Sequence, residues 1–257
     1  MVLAQEVCFF TQISSILYCR CLGEIVDNYE KSKLLLAERD FIGTSRIFSI
    51  SYPLDDWCCK SPKNYQIWFH RRWLVETIRK VSIVSDSDLL SFELDALEDL
   101  IELEPKHYNA WSHRLFVSNL FNSFSTSSEL DFTQKLIDKD VYNNSAWSYR
   151  RHALKDGFDV STELLFTMDR IRIAFSNESP WVYATSLPGW LENETFVSFC
   201  HQSYSNNRDS VPLANTMVDI YVAHSQIQDA IDTLKRLSNI DPVREYMYSA
   251  RICQLDQ

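Results

Sequence analysis

Apolar residues recur three and four positions apart along most of the chain, the spacing of one helix face, and no run of strict apolar–polar alternation is sustained. Behind Pro62 and Asn64 the pattern predicts a helix carrying Trp68, Arg71, Arg72 and Val75 on neighbouring faces. A polar link follows, and a second helix opening behind Ser85 or Ser87 sets Leu89, Leu90, Leu94, Leu97 and Ile101 at helical spacing. The alternation of an aromatic helix with a return helix recurs. Leu130, Leu136 and Ile137 fall in the second return helix, and Leu164, Leu165, Met168 and Ile171 in the third. Residues 213–223 and 227–237 read as a further pair, and Asp241-Pro242 opens a last helix through Arg251.

The aromatic helices are copies of one another. Asn64-Tyr65-Gln66-Ile67-Trp68-Phe69-His70-Arg71-Arg72 is followed by His107-Tyr108-Asn109-Ala110-Trp111-Ser112-His113-Arg114 and by Asn143-Asn144-Ser145-Ala146-Trp147-Ser148-Tyr149-Arg150-Arg151. A weaker copy is Asn177-Glu178-Ser179-Pro180-Trp181-Val182-Tyr183. The tryptophans lie 43, 36 and 34 residues apart, a period that suits a helix–turn–helix unit. The longest spacing predicts an insertion, which the Ser/Asp-rich residues 81–87 would hold. Each Trp reads as an anchor between stacked hairpins, its indole N–H given a local partner. The arginines three positions later (71, 114 and 150) read as ties to carbonyls at a helix end of the next unit. The fold class is therefore all-α: an α-α superhelix, a crescent of stacked antiparallel hairpins. Residues 61–257 form the repeat domain, and 1–60 a divergent helical region or degenerate repeat.

Composition narrows the function. With 257 residues, 46% of them hydrophobic, the chain can bury a substantial core and is not intrinsically disordered. Its four glycines fall in no phosphate-loop spacing, which excludes Rossmann and P-loop cradles. A net charge of −10 argues against nucleic acid as a partner. Seven cysteines without a C-x-x-C pair predict a reduced, intracellular chain, and the uncharged stretch 7–19 is too short to span a bilayer. His70 and His113 show no ligand spacing, and Glu98, Asp99, Glu102 and Glu104 read as solvated helix faces. The turns before the tryptophans gather Lys63, Tyr65, Gln66, Tyr108 and Asn109 from adjacent units. From spacing alone these form either an exposed polar turn or an edge that faces a ligand.

The string Pro62-Lys63-Asn64-Tyr65-Gln66-Ile67-Trp68-Phe69-His70-Arg71-Arg72 resembles a repeat of the α subunits of protein prenyltransferases, and the later units follow in that family's order. The resemblance covers residues 60–255, with a similar tail in Met217-Val218-Asp219-Ile220-Tyr221 and Asp241-Pro242-Val243-Arg244. It implies a cytoplasmic subunit wrapped around a separate β subunit, an α-α barrel supplying the zinc, the lipid cavity and most of the peptide site. Magnesium is a candidate diphosphate counter-ion. Such a heterodimer joins a cysteine thiolate of a CaaX-containing protein, such as a small GTPase, to C1 of an isoprenyl diphosphate. Lys63 resembles the lysine that contacts the diphosphate, and Gln66 the glutamine that binds the substrate's C-terminal carboxylate in CaaX-type enzymes. Tyr65 and Tyr108 correspond to tyrosines near the lipid and peptide. Asn109 stands where the family usually has His, and Phe69 replaces another. The implied subtype is the α subunit of farnesyltransferase and geranylgeranyltransferase type I. The alternatives are the Rab geranylgeranyltransferase α subunit and a non-catalytic prenyltransferase-like scaffold. Sequence leaves open which isoprenoid is used and which β subunit is the partner.

Overall fold

The computed structural model of the chain describes residues 63–82, 84–125, 127–154 and 158–256. The N-terminal region expected over 1–60, like Pro62, lies outside the described residues. Among those residues there are eleven α-helices and no strand. They are α1 (Tyr65–Val81), α2 (Asp86–Leu103), α3 (Tyr108–Leu120), α4 (Ser127–Lys139), α5 (Asn144–Ala153), α6 (Val160–Ile173), α7 (Glu178–Ser186), α8 (Glu194–Asn206), α9 (Val211–Ala223), α10 (Ile227–Ile240) and α11 (Glu245–Leu255). The chain divides into two compact units, Met1–Phe121 and Asn122–Gln257.

In the first unit α2 packs along α3, and α1 contacts both. Trp68 and Val75 of α1, Leu97 and Ile101 of α2, and Trp111 and Val117 of α3 are buried between them. In the second, α4 packs on α5, α6 on α7, and α9 on α10, with α11 closing against α10. That last group has its own core, in which Tyr248 meets Val218, Leu234 and Leu237.

The four aromatic helices start in the same way. Their N-cap residues Asn64, His107, Asn143 and Asn177 each stand four positions before the Trp, and each side chain accepts a hydrogen bond from a first-turn backbone N–H. The indole N–H groups also follow one rule. Trp111, Trp147 and Trp181 donate to the carbonyls of Pro105, Val141 and Phe175, each six residues upstream, at 2.9–3.0 Å. The expected local partner of the tryptophan is this carbonyl.

The long spacing between Trp68 and Trp111 has a different origin from the expected insertion. The link from α1 to α2 is short, from the left-handed Ser82 to the N-cap Ser85, whereas α1 and α2 have 17 and 18 residues against 13 each for α3 and α4. Extra length placed in helix keeps its backbone groups paired, which a longer loop would not.

The arginines three residues after the tryptophans also correct the sequence reading. Arg71 and Arg150 are buried and bind glutamates on the return helices. Arg71 Nε lies 2.9 Å from Glu93, and Arg150 grips Glu163 with Nε at 2.9 Å and an NH2 group at 2.6 Å. The carbonyls that Arg114 and Arg150 reach, of Leu94 (3.2 Å) and Leu130 (2.8 Å), belong to the preceding return helix, not the next. A guanidinium taken out of water needs a counter-charge, which neutral carbonyls cannot supply.

Each buried glutamate has a second donor two residues after the following Trp. His113 Nε2 donates to Glu93 at 2.8 Å, Tyr149 to Glu129 at 2.6 Å, and Tyr183 to Glu163 at 2.6 Å. Burial pushes the pKa of Glu93 upward, but the Arg71 charge and the His113 hydrogen bond outweigh it and hold the carboxyl at about 2. Burial depresses the pKa of His113 even though Glu93 pulls the other way, so the ring is neutral at pH 7 and its Nε2–H is the donor. Glu93, Glu129 and Glu163 each stand eighteen residues before a repeat tryptophan. That register was the signal in the sequence, and reading acids as solvated faces missed it.

Candidate functional site

The N-terminal ends of α1 and α3 and the C-terminal end of α2 surround a cleft of about 300 Å³, lined by Lys63, Tyr65, Glu104, Lys106, His107, Tyr108 and Asn109. Repeat symmetry creates it. The caps of α1 and α3, unlike those of α5 and α7, are each preceded by a lysine and followed by a tyrosine, so two copies of Lys-cap-Tyr meet at one edge of the first unit. The turn from α2 is set by the His107 N–H donating to the Glu104 carbonyl at 2.9 Å.

Four of the five residues singled out in the sequence come together here: Lys63, Tyr65, Tyr108 and Asn109. Lys63 is exposed, and Tyr65 and Tyr108 are 55% and 77% exposed, so their phenol faces stand open although both are large and partly apolar. Gln66 is not brought into the lining. It sits half-buried one position on, its Oε1 enclosed without a hydrogen-bond partner among the described residues. Lys106, His107 and Glu104 are lining residues that the sequence reading passed over. The signal for Lys106 was its register, since like Lys63 it stands five residues before a repeat tryptophan.

The electrostatics favour an anion. Two lysines face one glutamate, and the first turns of α1 and α3 contain no acidic residue to occupy their partial positive charge. The first turns of α5 and α9 also lack an acid, whereas those of α2, α4, α6, α7, α8, α10 and α11 each hold an Asp or Glu.

Comparison with known proteins gives the class. The model of the protein prenyltransferase alpha subunit repeat matches three stretches, residues 54–78, 90–121 and 126–156. These three stretches of the chain are therefore similar to the protein prenyltransferase alpha subunit repeat. The chain is 29% identical over 129 residues to the rat geranylgeranyl transferase type-2 subunit alpha, a match that covers 49% of this chain and 23% of that protein. It is 26% identical over 164 residues to the Xenopus laevis protein prenyltransferase alpha subunit repeat-containing protein 1-A, covering 52% of this chain and 38% of that one. The chain thus spans about a quarter to two fifths of the length of these relatives. A solved structure of the Candida albicans protein geranylgeranyltransferase-I complexed with GGPP has the same fold, with a TM-score of 0.75 over 90% of this chain and 78% of that one at 23% identity. No helix among the described residues is long and apolar enough to cross a membrane.

Proposed function

We propose that the chain is the α subunit of a heterodimeric protein prenyltransferase, working in the cytoplasm with a β subunit that supplies the lipid cavity. The observation that carries this reading is the convergence of Lys63, Tyr65, Tyr108 and Asn109 on one electropositive cleft. In the reaction a C–S bond forms between a substrate thiolate and C1 of an isoprenyl diphosphate. The C1–O bond breaks, and pyrophosphate leaves with the electron pair. In this reading the Lys63 ammonium meets the charge that grows on the leaving oxygen, and so stabilises the transition state more than the ground state. The exposed faces of Tyr65 and Tyr108 offer flat apolar contact to an isoprene chain, with hydroxyls left for polar groups. No group of three or more His, Cys, Asp or Glu side chains among the described residues could hold a metal ion. In this reading, as the resemblance implies, the partner subunit holds the zinc, which would there hold the thiolate, and magnesium is assigned no residue here.

The substrate class turns on Gln66. A CaaX-type enzyme, farnesyl or geranylgeranyl type I, needs this amide to meet the substrate's carboxylate. A second reading, the type-2 enzyme that acts on Rab proteins, is favoured by the position of Gln66 outside the cleft lining and by the similarity to the rat type-2 subunit. Purification with candidate β subunits, followed by labelled farnesyl and geranylgeranyl transfer to CaaX peptides and to escort-bound Rab substrates, separates the two. In whichever pairing is active, Lys63→Ala should lower turnover by about 10- to 1,000-fold, the range of an electrostatic contribution of a few kcal/mol. Unchanged turnover in that variant removes the role of Lys63, and no transfer with any pairing leaves the repeat scaffold.

A further inference from the structure

We infer that Glu93 is a positioning residue for the cleft: its carboxylate ties α1 to α3 and so holds Lys63 and Tyr65 at a fixed separation from Tyr108 and Asn109. Its meaning for catalysis rests on the reading above, but the tie itself can be tested without a partner subunit or a lipid.

One carboxylate oxygen makes the tie. Glu93 Oε2, on α2, accepts from Arg71 Nε of α1 at 2.9 Å and from His113 Nε2 of α3 at 2.8 Å. All three residues are at most 3% exposed, and hydrogen bonds so enclosed are stronger than they would be at the surface. At a rise of about 1.5 Å per residue, Arg71 lies about 9 Å along α1 from Tyr65, and His113 about 8 Å along α3 from Tyr108. Each end of the tie is therefore within two turns of a wall of the cleft, and a helix of that length carries a shift at one end to the other.

A second line of contact runs through the rings. Trp68 is buried, tilted against His113 at 5.6 Å and edge-on to His107 at 5.3 Å. His107 in turn caps α3 by accepting the Ala110 N–H at 3.2 Å. The turn that carries Tyr108 and Asn109 is thus braced from α1 as well as from α3.

The second unit shows the same joint without the cleft. There Glu163 of α6 accepts from Arg150 of α5 at 2.9 Å and from Tyr183 of α7 at 2.6 Å. All seven residues that line the cleft belong to the first unit. Both joints hold helices together, so a purely structural role would make them equivalent.

The test removes one matched hydrogen bond from each unit. His113→Phe and Tyr183→Phe each take a donor from the buried glutamate and keep an aromatic ring. His113→Tyr puts the second unit's donor into the first, and Glu93→Asp keeps the charge while drawing the carboxylate back. The separation across the cleft is read in the purified full chain by joining Lys63 to Lys106 with a short amine-reactive cross-linker, since both lysines are exposed and line it. Turnover is read in whichever β pairing transfers an isoprenoid, and thermal melting confirms that each variant is folded. His113→Phe and Glu93→Asp should lower the cross-link yield. They should also lower kcat by about tenfold with KM little changed, because a displacement of 1 Å can cost about 100-fold. His113→Tyr should restore both readings. Tyr183→Phe should lose comparable stability and change neither. The inference is overturned if Glu93→Asp and His113→Phe cross-link as the parent does, or if Tyr183→Phe lowers the yield equally. A reduced yield in a chain that transfers no lipid with any β subunit would keep the tie and remove the enzyme. Transfer with kcat unchanged in both first-unit variants would keep the enzyme and remove the positioning role.

Discussion

In the first unit the buried Glu93 is shared between Arg71 and the imidazole of His113, whereas in the second Glu129 and Glu163 are met by the phenols of Tyr149 and Tyr183. The position two residues after the tryptophan must deliver a hydrogen bond to a carboxylate in the joint, and either ring does so at 2.6–2.8 Å. The donors differ in what protons do to them. Burial drives the His113 pKa down from 6.5, and that of His70 likewise, toward loss of the proton. Tyr183 is driven upward from 10.0, by burial first and then by the Glu163 charge, so it keeps its proton across the physiological range. One structural rule is thus met with an acid-sensitive group in one unit and an acid-insensitive group in the other.

The largest expected effect breaks the feature that the units share. Glu163→Gln leaves the Arg150 guanidinium buried without its counter-charge and takes away the bidentate geometry. The expected loss is about 3–5 kcal/mol, read from the urea midpoint of the full chain, and Glu93→Gln should cost a similar amount because the buried Arg71 guanidinium loses its counter-charge. A loss below about 1 kcal/mol in both variants would show that the arginines find other compensation and that the joints do not depend on the glutamates.

The next effect separates the units. A histidine whose folded pKa lies below 6.5 stays neutral in the native state while the unfolded chain binds the proton, so stability is present above that value and is lost as pH falls through it. Each such histidine contributes a slope of at most about 1.4 kcal/mol per pH unit. His113 faces Arg71 and Arg72 as well as Glu93, and both arginines oppose a second positive charge. Hydrogen exchange at pH 7.5 and 5.5 should show protection falling in α1, α2 and α3 while α6 and α7 change little. His113→Tyr, which imports the second unit's donor, should flatten the response of the first. Equal losses in the two units would mean that the histidines are not the acid-sensitive groups.

The helices, the tryptophan anchors and the clustering of Lys63, Tyr65, Tyr108 and Asn109 were legible in the sequence because each rests on a local rule: 3.6-residue periodicity, an N-cap four residues before Trp, and side chains fixed at the start of a helix. The glutamate joints were not legible by those rules. Glu93 resembles Glu98 or Glu102 in its surroundings along the chain, and only packing of α2 between α1 and α3 distinguishes a carboxylate that is 3% exposed from its neighbours. The place of Gln66 outside the cleft lining was hidden for a related reason. The motif fixes its register on α1, but whether a side chain at that register enters the cleft depends on the crossing of α1 with α3, which no spacing within the motif reports.

The smallest expected effect concerns the caps, the other place where the units differ. Asn143→Ala should cost about 1 kcal/mol, because the Ala146 N–H now bonded to Asn143 Oδ1 at 3.2 Å loses its acceptor at a buried helix start. Asn143→His should recover most of that, since an imidazole Nδ1 reaches the equivalent N–H in the first unit at the same 3.2 Å. If capping were the whole duty of His107, the exchanges His107→Asn and Asn143→His would mirror each other, both within about 0.5 kcal/mol of the parent. A larger loss for His107→Asn than for Asn143→His, read by differential scanning fluorimetry, would show that the edge-on contact of the His107 ring with Trp68 at 5.3 Å contributes beyond the cap.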